Sequence, residues 1–370
     1  MLQRKRRLRS RISKIAGIMA LGAACLLVML ALGGLSYRGY RQYDAAKSLA
    51  VRSPKGIEES RFVMIGGIEQ WIQMRGQDSE NPVLLILHGG PGASYVPLTS
   101  IFLPWEKYFT LVQWDQRGTG RTYGRNGARG SGSLTLDRMV DDGIEVAAYV
   151  RERLKKPRIL LFGTSWGTLL GTNMAQRRPD LFYCYVGSGQ LVDITEDEIA
   201  GYNILVRKAS EAGDETATSV LKLLGPPPYR RPADQDTERE WLLRYVVTSD
   251  KAFLASMPSR IMLAPNYSLR DIFDYGAGTG FSIDSLLAKG PSTDLRSPEK
   301  FVIPVIIIQG ADDIVTPTSV AKDYFASIDA PKKEFLELPS AGHFAFLTVP
   351  DKVLSELVAH VRPFSLATPN

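Results

Sequence analysis

Residues 158–178 read RILLFGTSWGTLLGTNMAQRR, and this stretch decides the fold. RILLF is a continuous apolar run, the pattern of a strand buried on both faces of a parallel sheet. From Thr168 to Arg178 the spacing becomes helical. Between the two lies GTSWG (163–167). A serine on so tight a turn needs small residues two before and two after it, because neighbouring backbone passes close by. The turn exposes the Ser165 hydroxyl at a helix N-terminus, where peptide dipoles favour developing negative charge. As a bare string GxSxG is weak; the strand–turn–helix context makes Ser165 the candidate nucleophile.

PVLLIL (82–87), FTLVQW (109–114) and VIPVIII (302–308) read as further buried strands, and FLEL (335–338) as a last one. Residues 61–76 look like a hairpin about Gly66-Gly67. Residues 134–154 have helical spacing with a charged face, and another helix is expected from Asp351. Strands alternating with helices predict an α/β, mostly parallel, doubly wound sheet. The alternation breaks between 190 and 298, where the chain is helical in pattern and charged. Strands return afterwards, so 61–189 and 299–370 form one core and 190–298 a helical cap inserted in it. GAGTG (276–280) inside that insertion reads as a loop.

A second glycine-rich segment, HGGPG (88–92), ends the strand at 82–87. Glycines there allow backbone N–H groups to approach a substrate oxygen. The expected oxyanion hole combines the N–H of Trp166 with that of Gly89 or Gly90. The chain has three histidines. His88 opens the glycine loop and His360 lies in the last helix, as a surface residue. His343, in SAGHF after the last strand, falls on the edge where strand C-termini gather and ligands bind. The acid is expected after a late strand and before the histidine, which leaves Asp312 and Asp313 in GADDIVTP (310–317). The order serine, acid, histidine fits a hydrolytic triad.

HGGPG, DQRGTGRT (115–122), GTSWGT (163–168), GADDIVTP and AGH (341–343) together resemble the proline iminopeptidase (prolyl aminopeptidase) group of serine hydrolases with the α/β-hydrolase fold. The resemblance runs from about Gly67 to Pro363, outside the cap. It implies Ser165 as nucleophile, His343 as base and Asp313, rather than Asp312, as the acid. It also implies hydrolysis of a small N-terminal residue, usually proline, with carboxylates of the cap reading the free amine. Glu196 and Glu198 are the candidates, among the further acids Asp193, Asp197, Glu238 and Glu240; most of these are expected on solvated helix faces.

The formal charge is +6, but Arg4, Lys5, Arg6, Arg7, Arg9, Arg11 and Lys14 supply seven positive charges with no acid among them. Removing those seven leaves the other 356 residues at −1. The electrostatic footprint of a nucleic-acid binder is therefore missing. The basic cluster precedes 23 residues without a charge, 15–37. As a helix these extend about 34 Å, enough to cross a hydrocarbon core of roughly 30 Å. Basic residues before the span predict a cytoplasmic 1–14 and an extracytoplasmic, periplasmic or extracellular, hydrolase. A cleaved signal has a shorter apolar region and a better cleavage site, and a core helix would not carry such a basic lead, so a retained signal anchor is expected. Residues 38–60 read as a linker. Cys25 lies in the span and Cys184 in the body, so no disulfide is expected, and neither has a metal-binding neighbourhood.

The expected chemistry is acyl transfer with no metal or organic cofactor, on a small peptide or ester. A carboxylesterase or amidase using the same triad is the alternative, and a non-catalytic binding protein on the same fold a third reading. Ser at 165 excludes epoxide hydrolysis and dehalogenation, which need a carboxylate there. The sequence leaves the oligomeric state open.

Overall fold

The computed structural model describes residues 2–265, 267–286 and 299–366; the end of the expected cap, 287–298, and the terminal 367–370 lie outside them. The strands are β1 (Ile57–Ile65), β2 (Ile68–Gly76), β3 (Val83–Leu87), β4 (Thr110–Trp114), β5 (Ile159–Thr164), β6 (Phe182–Ser188), β7 (Val305–Gly310) and β8 (Lys333–Leu338). They form one eight-stranded sheet in the order β1-β2-β4-β3-β5-β6-β7-β8. β1 and β2 pair antiparallel, as do β2 and β4; every later pairing is parallel. The hairpin turn falls on Gly66 and Gly67, both at positive φ (54° and 79°), which a tight two-residue connection requires and glycine adopts without strain. β7 begins only at Val305, after Pro304, which has no N–H to donate to a ladder.

β3, β4, β5 and β7 are buried along their whole length. Successive side chains go to opposite faces. Leu85, Leu87 and Leu161 join one core with Val146, Leu169 and Met174. Leu84, Ile86, Leu160 and Phe162 join the other with Phe102, Trp105, Phe346 and Leu357.

The helices are α1 (Leu2–Leu49), α2 (Gly120–Ser131), α3 (Leu136–Leu154), α4 (Trp166–Arg177), α5 (Ile194–Glu211), α6 (Glu215–Leu224), α7 (Pro232–Tyr245), α8 (Thr248–Met262), α9 (Leu269–Leu286) and α10 (Thr318–Ser327), followed by short helical turns from Ala345 onward. α5 to α9 form the insertion between β6 and β7. Tyr202, Leu205, Ala209, Ala217 and Leu221 give it a small core of its own, and Asp193 caps α5 by accepting the N–H groups of Thr195 and Glu196, each at 3.0 Å.

Two expectations are corrected. GAGTG is not a loop: it lies inside α9. A β-carbon on Gly278 would stand 2.8 Å from the carbonyl oxygen of Gly118 and 3.0 Å from Cβ of Tyr123, so glycine here lets α9 pack closely on α2. The linker 38–60 is also shorter than expected, because α1 continues to Leu49 and β1 begins at Ile57. Once an apolar helix is nucleated, each added residue faces only the propagation step, and the polar stretch continues it. α1 is the helix among the described residues long and apolar enough to cross a membrane.

Candidate active site

β5 runs into α4 through Ser165, which has φ 51° and ψ −123°. A side chain at positive φ is costly and persists only where its surroundings force it. Here the surroundings are backbone. A β-carbon on Gly163 would lie 2.5 Å from the Gly167 carbonyl oxygen, and one on Gly167 would lie 2.2 Å from that of Leu87. The N–H of Ser165 donates to the carbonyl of Ser188 at 3.0 Å, which fixes the turn against β6.

Ser165 Oγ lies 3.0 Å from Nε2 of His343. Nδ1 of the same ring lies 3.0 Å from Oδ2 of Asp313. Asp313 is itself held: Oδ1 accepts the N–H groups of Val315 (2.9 Å) and Thr316 (3.0 Å), and Oδ2 accepts Gln309 Nε2 (3.0 Å) and Thr316 Oγ1 (2.9 Å). Both side chains are buried, whereas Asp312 is exposed. Burial of the His343 ring opposes its protonation, but the charge and hydrogen bond of Asp313, with Asp250 beyond, outweigh that and raise its pKa above 6.5. Gly189 lies under the ring, where a β-carbon would come within 3.0 Å of Cε1.

The other histidines are occupied elsewhere. Nδ1 of buried His88 donates to the Gly89 carbonyl (2.9 Å) and Nε2 accepts the Gln116 N–H (3.3 Å). Burial lowers its pKa to about 4, leaving it neutral. His360 is less free than a surface residue, with Glu334 at 2.7 Å and Glu356 at 3.4 Å.

The glycine loop meets the serine directly: a β-carbon on Gly89 would stand 3.0 Å from Cβ of Ser165. The Gly89 N–H donates to Tyr95 Oη at 3.0 Å, and that hydroxyl also pairs with Thr164 Oγ1 at 2.7 Å. Of the two loop candidates, Gly90 is therefore the one whose N–H is not committed to Tyr95. Trp166 opens α4, and the first N–H groups of a helix have no intrahelical acceptor.

DQRGTGRT proves to be scaffold around this centre. Asp115 accepts the hydroxyl of Ser94, beyond the glycine loop, and the N–H of Arg121 (2.8 Å); burial lifts its pKa to about 6. Gln116 Nε2 donates to the His88 carbonyl at 3.0 Å. Arg117 forms a buried pair with Asp142 (2.7 Å) and donates to the Gly66 carbonyl (2.8 Å), tying the loop to α3 and the hairpin. Arg121 reaches Asp271 of α9 at 3.3 Å.

In the insertion, Glu196 is exposed, while Glu198 is half-buried and accepts Gln235 Nε2 at 2.9 Å. Burial raises the Glu198 pKa. Burial and the neighbouring Glu198 raise that of Glu238 to about 7. Sequence reasoning missed Asp250, fully buried on α8. Its Oδ2 accepts the Phe344 N–H at 3.4 Å, and Oδ1 has no hydrogen-bond partner among the described residues. Nothing in its local sequence sets it apart from a surface helix acid.

A serine on a strand-to-helix turn, in line with a histidine and a buried acid beneath a helical insertion, defines the α/β class of hydrolases. The chain belongs to the alpha/beta hydrolase family, whose pattern it matches over residues 83–356. It is 28% identical over 316 residues to the "Probable aminopeptidase YbaC" of Bacillus subtilis (strain 168), covering 83% of this chain and 98% of that protein. It is 25% identical over 288 residues to the "Probable proline iminopeptidase" of Leptolyngbya boryana, covering 74% of this chain and 84% of that one. Among solved structures, a membrane phospholipase A described as a novel bacterial virulence factor superposes with a TM-score of 0.60 at 17% identity, over 94% of this chain and 99% of the other; this likeness is one of fold. The protein is a hydrolase resembling the proline iminopeptidases.

Proposed function

We propose that the protein is a membrane-anchored serine aminopeptidase that releases proline or a similar small residue from the N-terminus of peptides. The observation that carries the serine mechanism is the line of two 3.0 Å contacts joining Ser165, His343 and Asp313. His343 Nε2 takes the Ser165 proton as Oγ attacks the scissile carbonyl, while Asp313 holds the proton on Nδ1 and stabilises the imidazolium. The resulting oxyanion is held by the N–H groups of Trp166 and Gly90, an interaction typically worth about 2.7–4 kcal/mol per donor. His343 then returns the proton to the departing amine. Water, activated by the same ring, hydrolyses the acyl-enzyme and frees Ser165.

The aminopeptidase reading is supported by the kinship with a probable aminopeptidase along most of the chain and by the acids of the insertion. Burial first of all holds Glu198, Glu238 and Asp250 above the usual carboxylate range. Carboxylates raised by burial are stabilised by a further cation, and a substrate α-ammonium brings one. Residues 15–37 cross the membrane, with 1–14 in the cytoplasm and the insertion serving as the cap of an extracytoplasmic site.

The test compares proline p-nitroanilide, its N-acetyl form and p-nitrophenyl butyrate with the full-length chain in detergent. Cleavage of the free-amine anilide, lost on acetylation, is expected. Hydrolysis of the butyrate with neither anilide cleaved would instead make the protein an esterase.

A further inference from the structure

Arg38 is the first charged residue after the apolar run, and it is turned onto the protein body. Its Nε donates to the Met262 carbonyl at 3.0 Å, and its guanidinium also donates to the carbonyl of Tyr267. One helical turn later, Gln42 Nε2 donates to the carbonyls of Ala264 (2.7 Å) and Tyr267 (2.8 Å). α1 is thus clamped, just past its apolar run, to the elbow between α8 and α9.

The position of that clamp follows from helix geometry. At 1.5 Å per residue, Arg38 and Gln42 lie about 2–8 Å along the axis beyond Tyr37. The polar headgroup layer on each side of the hydrocarbon is about 5–8 Å thick. With 15–37 across the bilayer, the elbow therefore lies at headgroup depth.

The surface around the elbow suits that depth. Met262, Leu269 and Phe273 are exposed, Phe273 by 66%. Leu269 and Phe273, four residues apart on α9, share one helix face. Tyr37, Tyr40 and Tyr43 are exposed on α1, and tyrosine concentrates at membrane–water interfaces. Arg41 and Arg260 are exposed nearby, and Arg270, paired with Asp274 at 2.9 Å, lays its guanidinium 5.7 Å over the Phe273 ring. Basic groups of this kind are attracted to anionic headgroups. An apolar group with tyrosines and arginines around it, hydrogen-bonded to the base of a membrane span, has a bilayer surface as its fitting partner.

We propose that the α8–α9 elbow is a second membrane-contacting surface, seating Met262, Leu269 and Phe273 in the headgroup layer of the bilayer that 15–37 cross. The proposal rests on the reading of 15–37 as a retained span. α9 in turn touches the glycine loop, since Thr279 Oγ1 donates to the Gly92 carbonyl at 2.8 Å.

The test uses the full-length chain with Cys25→Ser, in nanodiscs of phosphatidylethanolamine and phosphatidylglycerol. A nitroxide is attached in turn to Phe273→Cys, to Leu27→Cys inside the span, and to Leu223→Cys, a 91% exposed position on α6. Relaxation by oxygen, which partitions into lipid, is compared with relaxation by an aqueous nickel chelate. The label at 273 is expected to fall between lipid-like 27 and water-like 223. A label at 273 as chelate-accessible as that at 223, with 27 still in lipid, overturns the proposal alone. A water-like label at 27 overturns the span and the proposal with it.

Discussion

Asp250 of α8 accepts, at 3.4 Å, the N–H of Phe344, the residue that follows His343. The insertion is therefore fastened to the loop that presents the imidazole, and a buried carboxylate stands within electrostatic range of the ring. Asp313 and Asp250 both favour the protonated ring, and its pKa lies above 6.5. In the proposed mechanism the neutral ring accepts the Ser165 proton, so kcat/KM should rise with pH along an acid limb centred above 6.5. Asp250→Asn keeps the shape and an acceptor oxygen but removes the charge. Its acid limb should move to lower pH, read from kcat/KM profiles of the two proteins. An unmoved limb would show that Asp250 does not act on His343.

Ser165→Ala removes the hydroxyl that lies 3.0 Å from His343 Nε2 and, in the proposed mechanism, carries the acyl group. A fall in kcat of about 10⁶ is expected, as for other triads. A variant that keeps a tenth of the activity would place the nucleophile elsewhere.

Tyr95→Phe deletes the hydroxyl that accepts the Gly89 N–H and pairs with Thr164. A buried donor left without a partner costs about 1–3 kcal/mol, and thermal unfolding of the full chain should show the loss. An unchanged melting temperature would mean that the glycine loop finds another acceptor.

Arg117→Met leaves the Asp142 carboxylate buried with its closest cation removed. Breaking a buried pair from one side costs about 3–5 kcal/mol where no other cation remains, and less here because Arg138 still lies 2.8 Å from Asp142, whereas replacing both partners by apolar residues is often tolerated. The double variant Arg117→Met, Asp142→Leu should therefore melt above the single one. The reverse order would show that Arg138, at 2.8 Å, and Gln70, at 2.9 Å, still hold the Asp142 carboxylate once Arg117 is gone.

Ser165 was legible because its constraint is local: Gly163 and Gly167 flank it, and the close backbone approaches they permit are what any strand-to-helix serine turn demands. Chain order on one sheet edge pointed to His343 and to Asp312 or Asp313, and the choice of Asp313 came from the family resemblance. What stayed hidden depends on contacts distant in sequence. Gly278 looks like a helix breaker until Tyr123 and the Gly118 carbonyl press against it. Asp250 reads as a solvated helix acid until α8 docks over Gly342, where a β-carbon would stand 2.3 Å from its Oδ2. The partners of Asp115, Gln116 and Arg117 lie in three different parts of the chain, and no spacing rule connects them.

α1 is continuous from Leu2 to Leu49, with no break between the apolar run and the residues that grip the body. At 3.6 residues per turn an unbroken helix carries angular phase as well as length, about 100° for each residue. With 15–37 crossing the bilayer as proposed, the number of residues between the span and Arg38 sets which face of that span lies under the hydrolase. On that reading the body is keyed to the span like a wheel to a shaft, and the two turn together.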